Sequence, residues 1–142
     1  MEADPHLVPA ARFLPTVDAR QLELLAALGA EVVHPVAVRR ARRGRMPVEV
    51  RALDADAPRT LVSPGRGRQA GSEGSLMLAV DRLERIARVS VVGPKPMVPD
   101  QLPVPAHGAG SFDEGAFRVT WVEVPLEQAA RVAQAVHAAL MA

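Results

Sequence analysis

Residues 116–124 read AFRVTWVEV, and this stretch decides the class of fold. Phe117, Val119 and Trp121 alternate with Arg118 and Thr120, the period of two that a β-strand needs to send its side chains to opposite faces. Pro125 then suits the first turn of a helix, where its missing N–H costs nothing. Beyond it Leu126, Ala130, Ala133, Val136, His137 and Leu140 fall on one stripe at helical spacing, while Glu127, Arg131 and Gln134 face away. A strand followed directly by such a helix implies a sheet with a helix laid across it, a mixed α/β (α+β) protein.

Working outward, residues 87–93 (ARVSVVG) are rich in β-branched side chains and read as a second strand, and residues 76–80 as a third. Residues 94–105 between them and the opening stretch carry five prolines, which excludes a regular helix there. Upstream, Asp18 can cap a helix and Gln21 can complete a capping box, with Gly29 as the terminator. Leu22, Leu25 and Ala26 share one face of that helix and Leu24 and Leu28 another, so it should be buried on two sides. Pro35 opens a second, short helix that Gly44 would close. Val48, Val50 and Ala52 alternate with Glu49 and Arg51, as in a half-buried strand. Residues 63–75 (SPGRGRQAGSEGS) sustain neither period and read as a linker. The expected organisation is 1–63, a linker over 64–75, and 76–142.

Composition narrows the function. At 142 residues the chain suits one ordinary domain or two small lobes, with 49% hydrophobic and 23% charged residues, the balance of a folded protein. A formal charge of +1 gives no reason to expect nucleic acid or an anionic membrane as partner. Cysteine is absent, which removes disulfides, thiolate nucleophiles and sulfur-ligated metals. The first seven residues contain Glu2, Asp4 and Pro5 with no apolar run, so a cytoplasmic location is expected.

Three stretches carry a resemblance. Residues 3–15 (ADPHLVPAARFLP), 29–35 (GAEVVHP) and 46–62 (MPVEVRALDADAPRTLV) are similar, in order and spacing, to the end of the catalytic domain of aspartate kinases. Residues 88–93, 117–124 and 127–140 resemble, in the same family, a first strand, a later strand and the closing helix of an ACT regulatory module. The resemblance implies a small helix-helix-strand part of an amino-acid-kinase domain joined to a shortened ACT-like sheet with its helix. It also implies that the phosphate loop, the aspartate-binding residues and the catalytic lysine lie upstream of what this chain retains, so no kinase activity is expected from it alone. At matched positions His6 stands for an Arg and Glu31 for a Lys, two cations that the family directs at phosphate.

The candidate site residues follow. His34 before Pro35 can exchange a proton or cap the helix behind it. Phe117 and Trp121 can wall an apolar ligand pocket or pack as core. His107, Asp113 and Glu114 would supply acid and base groups from an irregular loop above that wall, the minimum for a cyclase, isomerase or hydrolase of specialised metabolism. His137 on the apolar stripe reads as a packed core histidine. The arginines at 39, 40, 42, 43 and 45 read as a solvated helix face. No metal-ligand spacing is present, and neither a metal nor a cofactor is expected. The leading expectation is a regulatory, assembly or small-molecule-binding module. A homodimer using the Phe117, Val119 and Trp121 face is expected, or a complex with a full-length aspartate kinase.

Overall fold

The computed structural model describes residues 2–31, 33–53, 56–64 and 75–142. Most of the expected linker, with Arg66 and Arg68, lies outside the described residues, as does Val32.

The four-stranded sheet is built from β4 (Met77–Arg82), β5 (Ile86–Pro94), β6 (Gly108–Glu114) and β7 (Phe117–Pro125), in the order β4-β5-β7-β6 and antiparallel throughout. Ser90 on β5 stands opposite Trp121 on β7, which in turn faces Gly110 on β6. Phe117 and Val119 are buried on one face, and Thr120, Val122 and Val124 on the other, as befits a strand in a sheet covered on both faces. A single 3-10 turn (Leu126–Gln128) leads from β7 into α3 (Ala129–Leu140). The buried stripe of α3 is Ala129, Val132, Ala133, Val136 and His137, rotated slightly from the expected one, which took Ala130 instead of Ala129 and Val132.

Ahead of this sheet come β1 (Thr16–Asp18), α1 (Ala19–Ala27), α2 (Pro35–Arg43), β2 (Val48–Arg51) and β3 (Arg59–Ser63). β3 pairs in parallel with β1 and antiparallel with β2, making a small second sheet that the sequence reading represented by one strand. Ser63, placed in the linker by composition, closes β3.

One local expectation is corrected. Asp18 does cap α1, its Oδ1 accepting from the N–H groups of Arg20 (2.8 Å) and Gln21 (3.3 Å). Gln21, however, does not return the bond. Its side chain is 2% exposed, and Nε2 donates to the carbonyls of Ser75 (2.6 Å) and Val92 (3.0 Å), because a buried amide must find partners where it lies. At the end of α2, Gly44 closes the helix as expected, staying right-handed (φ −81°) while Arg45 takes the left-handed position (φ 52°).

Two apolar clusters cover the two faces of the four-stranded sheet. On one, Met77, Ala79, Val92, Phe117 and Val119 meet Leu22 and Leu25 of α1, with Leu14 and Val62. On the other, Leu78, Val89, Val91 and Val122 meet Val132, Ala133 and Val136 of α3, together with Ala3, Val8, Val98 and Leu102. Residues from before and after the linker therefore share both clusters. Phe117 (3% exposed) and Val119 (0%) are covered by the chain's own α1, which corrects their expected role as a dimer face.

Candidate functional site

The loop expected to gather His107, Asp113 and Glu114 is a strand. β6 runs from Gly108 to Glu114, and at about 3.3 Å per residue it sets His107 roughly 20 Å from Asp113. Asp113 and Glu114 are successive strand residues, so their side chains leave opposite faces. Asp113 is already engaged: Arg118 donates to it through Nε at 2.8 Å, and Lys95 lies 3.8 Å away. The Arg118 bond holds the Asp113 carboxyl below its ordinary range. The three residues do not form an acid-base cluster. Composition hid the strand, since GAGSFDE has little β propensity, and its pairing with β7 supplies what propensity does not.

Trp121 is half-buried and its ring lies over Gly110, where a Cβ would come within 2.6 Å of the indole. The Arg88 guanidinium stacks 4.5 Å from the ring centroid and also donates to Glu123 at 2.6 Å. The indole thus has close intramolecular neighbours in Gly110 and Arg88. The proline-rich run beyond is fastened to the sheet: Thr120 Oγ1 donates to the Pro99 carbonyl (2.6 Å) and Arg118 pairs with Asp100 (2.6 Å).

An open cavity of about 430 Å³ lies where α1 ends and α2 begins, lined by Ala26, Gly29, Ala30, Glu31, Val33, His34, Pro35 and Asp81. Gly29 makes it possible. Its φ of +100° turns the chain off α1, and its missing side chain lets the backbone approach Asp81, whose Cβ would lie 2.8 Å from any Cβ placed there. His34 caps α2, its Nδ1 accepting the Val36 N–H at 3.2 Å, which leaves Nε2 to carry the ring proton. The cavity therefore combines two carboxylates, one imidazole and an apolar floor, with no Lys or Arg among the described residues that line it. Sequence reading found His34 and Glu31 but missed Asp81, whose position depends on the packing of β4 beneath Gly29.

The basic run on α2 is partly neutralised, since Arg39 (3.1 Å) and Arg42 (2.7 Å) both grip Glu23 of α1. Burial works against the charge on Glu23, but the bonds from Arg42 and Arg39 outweigh it and hold its carboxyl below the usual range. His137 is core, as read, but it is not apolar core: its Nε2 lies 2.6 Å from Oε1 of Glu2, which is itself 1% exposed. Nothing in the spacing of the sequence joins positions 135 residues apart. Among the described residues no cluster of His, Cys, Asp or Glu could hold a metal ion, and no helix is long and apolar enough to cross a membrane.

These elements define an α/β protein in which part of an amino-acid-kinase fold packs on an antiparallel sheet. The family model "Amino acid kinase family" matches residues 1–52. The aspartokinase of Mycolicibacterium smegmatis is 36% identical over 110 residues, covering 78% of this chain and 24% of the relative. That of Mycobacterium tuberculosis is 32% identical over 130 residues, 92% of this chain and 29% of the relative. Escherichia coli aspartokinase III, solved with lysine and aspartate, superposes with a TM-score of 0.70 at 16% identity, covering 99% of this chain and 49% of that one, a likeness of fold. The chain belongs to the aspartokinase family, and it spans about a quarter of the length of these curated relatives.

Proposed function

We propose that this chain is an aspartokinase-derived module that works by regulation, assembly or small-molecule binding and not by phosphoryl transfer of its own. The observation that carries this reading is the sign of the cavity at His34. Glu31 and Asp81 bring two negative charges to it and, among the described residues, no cation lines it, so a nucleotide phosphate entering there would be repelled. Glu31 stands where the resemblance to the kinases implies a lysine. The same charges suit a small ligand that carries an ammonium group, with His34 Nε2–H free to donate to a second polar atom of it. The related aspartokinase III is described in complex with lysine and aspartate, and amino acids have this chemistry. Calorimetric titration with Mg-ATP should give no measurable heat of binding. A micromolar dissociation constant would overturn the reading.

The working form we propose is a homodimer, or a complex with a full-length aspartate kinase. β6 supports this: it is an edge strand paired on one side only, with Phe112 43% exposed. Light scattering should return about twice the chain mass of 15.1 kDa, and the monomer mass at micromolar concentration would refute the dimer.

A further inference from the structure

Residues 2–14 contain no helix or strand, yet they reach both sides of the four-stranded sheet, with Ala3 and Val8 in the α3 cluster and Leu14 in the α1 cluster. Those three are the buried apolar side chains of the segment. Leu7 and Ala11 pack half-buried beside the α3 cluster, Gln134 Nε2 donates to the Leu7 carbonyl (2.9 Å) and Thr60 Oγ1 to the Leu14 carbonyl (2.7 Å), and the densest fastening is one buried carboxylate. Glu2 Oε1 lies 2.6 Å from His137 Nε2 and accepts from the Arg12 N–H at 3.0 Å, while Oε2 pairs with Arg12 Nη2 at 3.3 Å. The Glu2 backbone donates to the Arg12 carbonyl (2.9 Å) and accepts from the Leu78 N–H on β4 (2.7 Å). One residue thus closes the segment into a loop, ties it to α3 and occupies a hydrogen-bonding group on the edge strand β4.

A carboxylate taken out of water is strongly unfavourable unless its partners stay in place, and its partners here lie on only two elements, the segment itself and α3. A segment with few fully buried apolar anchors, held chiefly by one such polar fastening, opens as a unit. We infer that residues 2–14 are a releasable strap over the β4 edge and the α3 side of the sheet, latched by the Glu2–His137 contact. With the latch open, the Leu78 N–H and the apolar surface under Ala3 and Val8 are uncovered; with it closed, that edge is guarded.

Hydrogen exchange followed by NMR on the full chain tests this. Replacing His137→Leu removes one partner and leaves Glu2 buried with too few. The Val8, Arg12 and Leu78 amides, all bonded to the segment, should then exchange more than about 100-fold faster, while Val89 and Val122, opposite each other in the centre of the sheet, change less than about threefold. Equal acceleration of both groups would overturn the strap, since the pair would then belong to the global core, and so would unchanged Val8 and Leu78. Should that variant fail to fold, Glu2→Gln decides in the same way. It keeps the shape, drops the charge, and should speed the segment alone by about tenfold.

Discussion

The two faces of the four-stranded sheet are covered by different means. On one face a helix, α1, lays Leu22 and Leu25 against Met77, Val92, Phe117 and Val119, and apolar area does the fastening. On the other, α3 covers only part. The remainder is closed by two irregular stretches, residues 2–14 and the proline-rich run, each pinned by point contacts: Glu2 to His137, Gln134 to the Leu7 carbonyl, Thr120 to the Pro99 carbonyl, Arg118 to Asp100. A helix satisfies its own backbone and needs only a matching surface. Irregular chain carries backbone groups with no ladder to join, so side chains must place it and satisfy it. The same sheet therefore has one face whose cover is insensitive to charge and one whose cover depends on it.

The largest effect is expected on the apolar face. Phe117 is 3% exposed in the α1 cluster, and Phe117→Ala removes the whole ring that helix and sheet share. Truncation at such a site costs about 3 to 5 kcal/mol, a large share of the stability of a domain this size. Urea denaturation measures it directly. A loss below about 1 kcal/mol would mean that α1 rests loosely on the sheet, and the contrast between the faces would collapse.

How much of this was legible in the sequence follows the same division. β7, α1 and α3 announce themselves by period, because each buries a regular face, as the Leu22/Leu25 stripe on α1 shows, and β5 announces itself by β-branched content, with Val89 and Val91 in its core. The resemblance to aspartate kinases added the order of the parts. β1, β3 and β6 were not legible. β1 is three residues long, β3 ends in a serine shared with a glycine-rich run, and β6 begins Gly-Ala-Gly; all three exist because a neighbour pairs with them. The expected His107, Asp113 and Glu114 site failed for this reason, since nearness in sequence became distance once β6 was extended. Of the cavity, His34 and Glu31 were visible and Asp81 was not, because a long-range approach at Gly29 leaves no local trace. The Glu2–His137 contact was invisible for the same cause.

Acid should divide the two faces. Burial alone would raise the Glu2 carboxyl, but the bonds from His137 and Arg12 outweigh it and set it below its ordinary value. A carboxylate depressed in the folded state contributes stability that is fully present above its unfolded value, about 4.3, and is lost as the pH falls through the lower folded value. Moving from pH 7 to pH 5 should therefore leave the Glu2 contribution intact. Below about pH 4 the strap should loosen. Glu23 and Asp113 are depressed too, so the α1–α2 contact and the Arg118–Asp113 contact between β7 and β6 weaken in the same window, whereas the α1 contacts of Phe117 and Val119 contain no titrating group. Methyl NMR follows both sides in one titration, with Val8 reporting the strap and Val119 the opposite face. The Val8 signal should shift or broaden at a higher pH than the Val119 signal, and Glu2→Gln, which is already uncharged, should remove that early step while leaving the Val119 transition in place. Simultaneous loss of both signals in the unaltered protein would show that the two covers are a single cooperative unit, and that charge fastens the whole molecule and not one face of it.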